Sequence, residues 1–216
     1  MDRLYIDIET IPSQQKWVAD EVEKTVKPPA TIKKDESKQK WYEENYAAAF
    51  GDKMGKCSFD GAMSHIITIG YAVNDGEAVV FHADHEAKER EILEGFIVAT
   101  NNVKYPTIIG HNVTGFDMRM IRQRCLVLGI PLSKNMPWDA KPWDKNPYDT
   151  MMQWDGKNFI SQDKLAKAFG IKGKGDVDGS MVYPMWKAGK HKEIAQYCKD
   201  DVETVRKIYK HMIGEK

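Results

Sequence analysis

Apolar and polar residues alternate over 4–10 (LYIDIET). Leu4, Ile6 and Ile8 fall on one face and Tyr5, Asp7 and Glu9 on the other, which predicts a β-strand stopped by Pro12. A second strand is expected over 65–74 (HIITIGYAVN), rich in β-branched and aromatic residues. Asp75-Gly76 then predicts a hairpin that returns antiparallel through 77–83. Between these strands, 13–64 is polar and dotted with aromatic residues, and its most regular part, 39–50, suits a short helix. Ile92, Leu93, Phe96 and Ile97 predict an amphipathic helix over 85–99, and 105–112 (YPTIIGHN) reads as a strand. Met118, Ile121, Cys125 and Leu128 carry a helix over 116–128, ended by Gly129 and Pro131. Residues 133–158 read as loop, 162–169 as a short helix, 170–179 as a loop rich in glycine and lysine, and 191–213 as a long terminal helix. This order predicts an α/β domain on a mixed sheet.

Composition narrows the partners. The 216 residues carry 32 Lys plus Arg against 32 Asp plus Glu, so net charge alone does not draw the chain to nucleic acid, although a local basic groove remains open. The three cysteines, Cys57, Cys125 and Cys198, stand far apart and match neither a disulfide framework nor a zinc site. No apolar run approaches the roughly 18–20 residues of a membrane span. No cleavable leader is evident, and a cytoplasmic location without membrane contact is expected.

Three stretches carry candidate chemistry. Asp7 and Glu9 are acids at i and i+2 on one face of an otherwise apolar strand; neighbouring carboxylates repel unless a cation lies between them, although a solvated strand face has the same pattern. Asp117 opens a helix just after a strand, where α/β sheets bind ligands, and there it also suits a helix first turn. Tyr197 and Asp201 lie one turn apart on the last helix, a pattern shared with any polar helix face. Acids on three separate elements, with a Tyr four residues before the last, are far rarer together than any one of them.

In this order D-I-E at 7–9, H-N-V-T-G-F-D at 111–117 and Y-C-K-D-D at 197–201 resemble the three motifs of the DEDD superfamily of 3′–5′ exonucleases. Tyr197 places the resemblance in the tyrosine branch, since the histidine branch would have His where Gln196 stands. Within that branch the chain is similar to the proofreading exonuclease domain of family B DNA polymerases, as a free-standing protein. The resemblance implies a ribonuclease H-like α/β fold, a mixed five-stranded sheet flanked by helices. It spans nearly all of residues 1–216 as one exonuclease domain, and the long segment at about 13–64 is then an inserted, cap-like element.

The resemblance further implies that Asp7, Glu9, Asp117 and Asp201 hold two divalent cations, Mg2+ or Mn2+, which suit hard oxygen ligands. Tyr197, a phenol with a pKa near 10, would orient water and the scissile phosphate rather than act as a base. Ile8 and Thr10 would flank the terminal sugar, and Asn112 and Phe116 would shape the site of the next nucleotide. Lys172 and Lys174, in a lysine-rich stretch over 156–175, are candidates for phosphate contact. Trp138, Trp143 and Trp154 either stack on bases or anchor their loop, and His111 reads as a packed or solvated histidine. The substrate implied is a single-stranded or frayed DNA 3′ end, cut to nucleoside 5′-monophosphates. RNA 3′ ends and a non-catalytic end-binding module are the alternatives. A replication or recombination protein is a further expected partner, docking on the segment around Trp17 and Trp41.

Overall fold

A strand that carries apolar residues on both faces has to be covered on both sides, and this requirement organises the molecule. The computed structural model describes residues 1–141, 143–172 and 178–215. The first half of the chain forms β1 (Arg3–Pro12), α1 (Lys16–Thr25), α2 (Asp35–Lys56), β2 (Ser64–Val73), β3 (Val79–His82) and α3 (Glu89–Asn101). The second half forms β4 (Thr107–Gly110), α4 (Asp117–Leu128), β5 (Tyr148–Asp149), α5 (Thr150–Trp154), α6 (Gln162–Ala168), α7 (Val182–Lys187) and α8 (His191–Met212). The five strands lie in the order β3-β2-β1-β4-β5. β1 is antiparallel to β2 and parallel to β4, and β5 continues the parallel side.

Leu4, Ile6 and Ile8 of β1 pack with Leu93, Phe96 and Ile121 from α3 and α4. On the opposite face Tyr5 packs with Val202, Val205 and Tyr209, and Ile11 with Ile194 and Tyr197, all from α8. Asp7 and Glu9 lie between these two apolar contacts on the α8 face. One glycine sets how close α8 comes: Gly70 of β2 pairs with Asp7, and a Cβ added there would stand 2.9 Å from Val202 Cγ2 and 3.0 Å from Cys198 Sγ. Cys198 Sγ in turn lies 3.4 Å from the Asp7 carbonyl oxygen. The close approach puts the α8 face directly over the two acids of β1.

Two stretches fold further than their sequence pattern predicts. Residues 13–64 hold α1 and the 22-residue α2, not one short helix. Val18, Val22, Met54 and Cys57 bury a small core between them, whose members are too far apart in sequence to show as a local period. Residues 133–158, read as loop, contain the edge strand β5 and the short α5. β5 has only two residues, so it has no alternation to read; its pairing to Ile109 and Gly110 defines it. The short α7 was not evident from the sequence either; it packs Val182 and Met185 against Ile11 and Tyr197.

Candidate active site

β1 presents Asp7 and Glu9 toward α8, and α8 presents Tyr197 and Asp201 one turn apart toward β1. One carboxylate oxygen from each of Asp7, Glu9 and Asp201 lies within 4.8 Å of the others. Glu9 and Asp201 are buried, and Asp7 is partly so. Tyr197 hydrogen-bonds Asp201, and its hydroxyl is pushed well above the usual phenol range by burial first, then by the charges of Asp201, Glu9 and Asp7. A register shift between Glu9 and Thr10 interrupts the β1–β2 ladder beside the acids, and the pairing resumes at Thr10 with Ile66.

Asp117 stands next to this trio at the start of α4. Its carboxylate accepts the Ile8 backbone N–H at 3.0 Å. Burial raises its pKa well above the ordinary carboxylate value, and the charges of Asp7 and Asp149 add to the rise. The loop before it is held by Asp149 at the end of β5, whose carboxylate accepts the N–H of Asn112 at 2.9 Å and of Thr114 at 3.2 Å. Asn112 takes a left-handed backbone, φ 59°, a conformation that asparagine tolerates better than most residues. His111 anchors the same loop through Thr150 Oγ1 at 2.9 Å and the Ile160 carbonyl at 2.8 Å, so it is a packed histidine.

Gln162, the first residue of α6, donates from Nε2 to the Asp201 carboxylate at 3.1 Å and to the Asp201 carbonyl at 3.2 Å. Neither Asp149 nor Gln162 was a candidate on sequence grounds. Asp149 had one usable signal, an acid directly before Thr150 as a helix N-cap, and its side chain does accept the Met151 N–H. Gln162 had none, because its partner lies thirty-nine residues away in α8.

The remaining candidates divide by position. Ile8 packs in the core on the face opposite the acids. Thr10 donates from Oγ1 to the Ser58 carbonyl at 2.7 Å. Phe116 is half-buried beside Asp117, with its ring 5.9 Å from that of Phe59. Lys172 is exposed, and Lys174 lies outside the described residues. Trp138 anchors its loop through Nε1 to the Ser133 carbonyl at 2.7 Å, whereas Trp143 is 80% exposed.

This donor set fits a hard divalent cation. Every candidate ligand is a carboxylate oxygen, and like charges gathered at this depth are costly without a counter-charge. No helix among the described residues is long and apolar enough to cross a membrane.

No curated protein matches the chain. Among solved structures, the family B DNA polymerase from the hyperthermophilic archaeon Pyrobaculum calidifontis superposes with a TM-score of 0.63 at 18% identity. That match covers 99% of this chain and 24% of the polymerase chain, so the protein spans about a quarter of that polymerase's length. At this identity the likeness shows the fold, a ribonuclease H-like α/β sheet with flanking helices. A family model described as "Predicted 3'-5' exonuclease related to the exonuclease domain of PolB" matches residues 59–212. The matched segment carries Asp117, Tyr197 and Asp201, while Asp7 and Glu9 precede it and are joined to them by the sheet. Covering most of the sequence, that match makes the chain a member of this family of predicted 3′–5′ exonucleases related to the exonuclease domain of PolB.

Proposed function

We propose that the protein is a metal-dependent 3′–5′ exonuclease that removes nucleoside 5′-monophosphates from single-stranded or frayed DNA ends. The observation that carries this reading is the trio Asp7, Glu9 and Asp201 with Tyr197 against it. Asp7, Glu9 and Asp201, with Asp117 beside them, would hold two divalent cations of the Mg2+ or Mn2+ kind. Bound there, such ions supply a nucleophile at neutral pH and neutralise charge developing on the phosphate.

The chain's own residues then position the reaction. Water attacks the terminal phosphorus in line, the bond from phosphorus to the 3′ oxygen breaks, and that oxygen leaves with a proton. Tyr197 keeps its hydroxyl proton at neutral pH, because burial and three acids raise its pKa, and with substrate bound it would turn that proton from Asp201 to the water or the phosphate. Gln162 fixes the rotamer of Asp201, and the Ile8 N–H fixes that of Asp117. Asp149 holds the loop that carries Asn112 and Phe116, so these two would meet the penultimate nucleotide at a set distance from the acids. Thr10 would lie beside the terminal sugar.

The test uses 5′-labelled single-stranded DNA and RNA of one sequence, with Mg2+, Mn2+ or EDTA, and with Asp7→Ala beside the wild type. A metal-dependent ladder shortening from the 3′ end of DNA, absent in the variant, is the expected result. A ladder on RNA alone would change the substrate, and no ladder on either polymer would overturn the reading.

A further inference from the structure

The segment between β1 and β2 does more than pack on the sheet. Between α2 on one side and α7 with the turn before it on the other lies an open groove of about 770 Å3, floored by Thr10 and Ser58. Its lining includes Phe50, Phe59 and Tyr183 with the charged side chains of Lys187, Lys56 and Asp52, and Lys56 Nζ is paired to Asp52 Oδ2 at 2.8 Å. Phe59 is 62% exposed, a large apolar ring left mostly open to solvent. Lys187 Nζ sits 4.6 Å from the centre of the Tyr183 ring, so a cation and an aromatic face share one wall.

Gly51 and Gly55 lie one turn apart on the groove side of α2. An added Cβ at either would meet nothing within 4 Å. Glycine is among the poorest residues for a helix interior, and neither position is demanded by packing. Their effect is to keep the groove wide. The groove lies near the acids in the fold: Thr10 follows Glu9 in β1, and the Phe59 ring meets that of Phe116, the neighbour of Asp117.

We propose that this groove between α2 and α7 seats the single-stranded DNA that leads to the acid trio, its bases against Phe59, Phe50 and Tyr183 and its phosphates toward Lys187. The inference rests on the exonuclease reading above and names the path of its substrate. Aromatic faces suit single-stranded DNA because every base can stack on them, and Lys187 complements its backbone. A groove within the roughly 300–1,000 Å3 range of small-ligand pockets has room for a nucleotide or two.

The test measures binding of a 5′-fluorescein ten-nucleotide oligo-dT by anisotropy, with Ca2+ present, for the wild type, Gly55→Leu and Phe59→Ala. The 3′ ladder is followed in parallel with Mg2+ or Mn2+, and thermal melts check folding. Both variants should raise Kd by at least about ten-fold, the scale of one lost stacking contact. Phe59→Ala removes a mostly exposed ring, so it tests the groove even if Gly55→Leu fails to fold. Wild-type Kd in folded variants, with the ladder intact in all three, would overturn the groove and leave it to a protein partner. Weakened binding in the variants with no ladder from the wild type would support the groove and overturn the exonuclease reading instead.

Discussion

Two buried carboxylates on α3 and α4, Glu89 and Asp117, show how differently one fold treats the same charge. Glu89 is 2% exposed and Asp117 is 3% exposed, so depth does not separate them. Glu89 sits in a compensated network. Arg124 donates to it from Nε at 2.8 Å and from Nη2 at 2.7 Å, and the Ile66 N–H donates at 2.8 Å. His65 lies 3.0 Å from the same carboxylate and 3.0 Å from Ser13 Oγ. Burial pushes the Glu89 pKa up, but the bonds from Arg124, His65 and Ile66 outweigh it and hold the group below the usual glutamate value. Asp117 has one backbone donor from β1 and acidic neighbours, and its pKa rises. A carboxylate that serves only the fold is given its counter-charge by the chain. One kept among other acids leaves that role to something from solution, which is the physical content of the proposed metal site.

The largest break in this comparison is expected at the trio. Asp7→Ala or Asp201→Ala should lower the single-turnover cleavage rate on the order of 10^4-fold, as loss of a central catalytic group does. Their thermal melts in EDTA should match or exceed the wild type, because like charge has been removed. A variant that cleaves at the wild-type rate would remove Asp7 or Asp201 from the metal-site assignment.

Glu89→Ala should do the reverse, costing about 3–5 kcal/mol in urea unfolding by leaving Arg124 buried and uncompensated. Folded Glu89→Ala protein should still cleave. Tyr197→Phe comes next, with kcat on labelled DNA down about 10^2-fold and the melting temperature in Mn2+ little changed. Gly70→Ala places a methyl against Val202 and Cys198, so α8 must shift. It should cost about 1–3 kcal/mol of stability and slow cleavage as well, since the same helix carries Tyr197 and Asp201.

The smallest effect is a pair of opposite pH slopes. Glu89, with its lowered pKa, stabilises the fold fully above the unfolded value of about 4.3, and this contribution fades as pH falls through the folded value. Asp117, with its raised pKa, favours the metal-free fold most below about 3.9, and that contribution is lost as pH rises through its folded value. Melts in EDTA should therefore show the Asp117 slope at mildly acidic pH. Asp117→Asn should flatten it, and equal slopes in both proteins would contradict the raised pKa.

The long, periodic elements were legible from the sequence. β1, β2, α4 and α8 each repeat their apolar positions often enough to predict their type and nearly their bounds, and α8 ran from His191 as expected. Elements without a period were not legible, as β5 with its two residues shows. The candidate acids stood out because spacing alone put Asp7 with Glu9 and Tyr197 with Asp201 on common faces. The side chains that hold them in place, Gln162 and Asp149, act across thirty-five or more residues, and the one local signal, the N-cap position of Asp149, marks a helix start and not that role.

By itself, then, the sequence determined which acids exist, which pairs share a face, and which face of β1 is apolar, since those follow from backbone periods of two and 3.6 residues. Only the tertiary structure decided which of those acids meet. The sheet order brought β1 beside β4, and the missing side chain at Gly70 let α8 settle onto them. Packing across α2 and α7 left an open groove at Thr10. Distance between elements is set by the side chains wedged between them, and no period along one element encodes that.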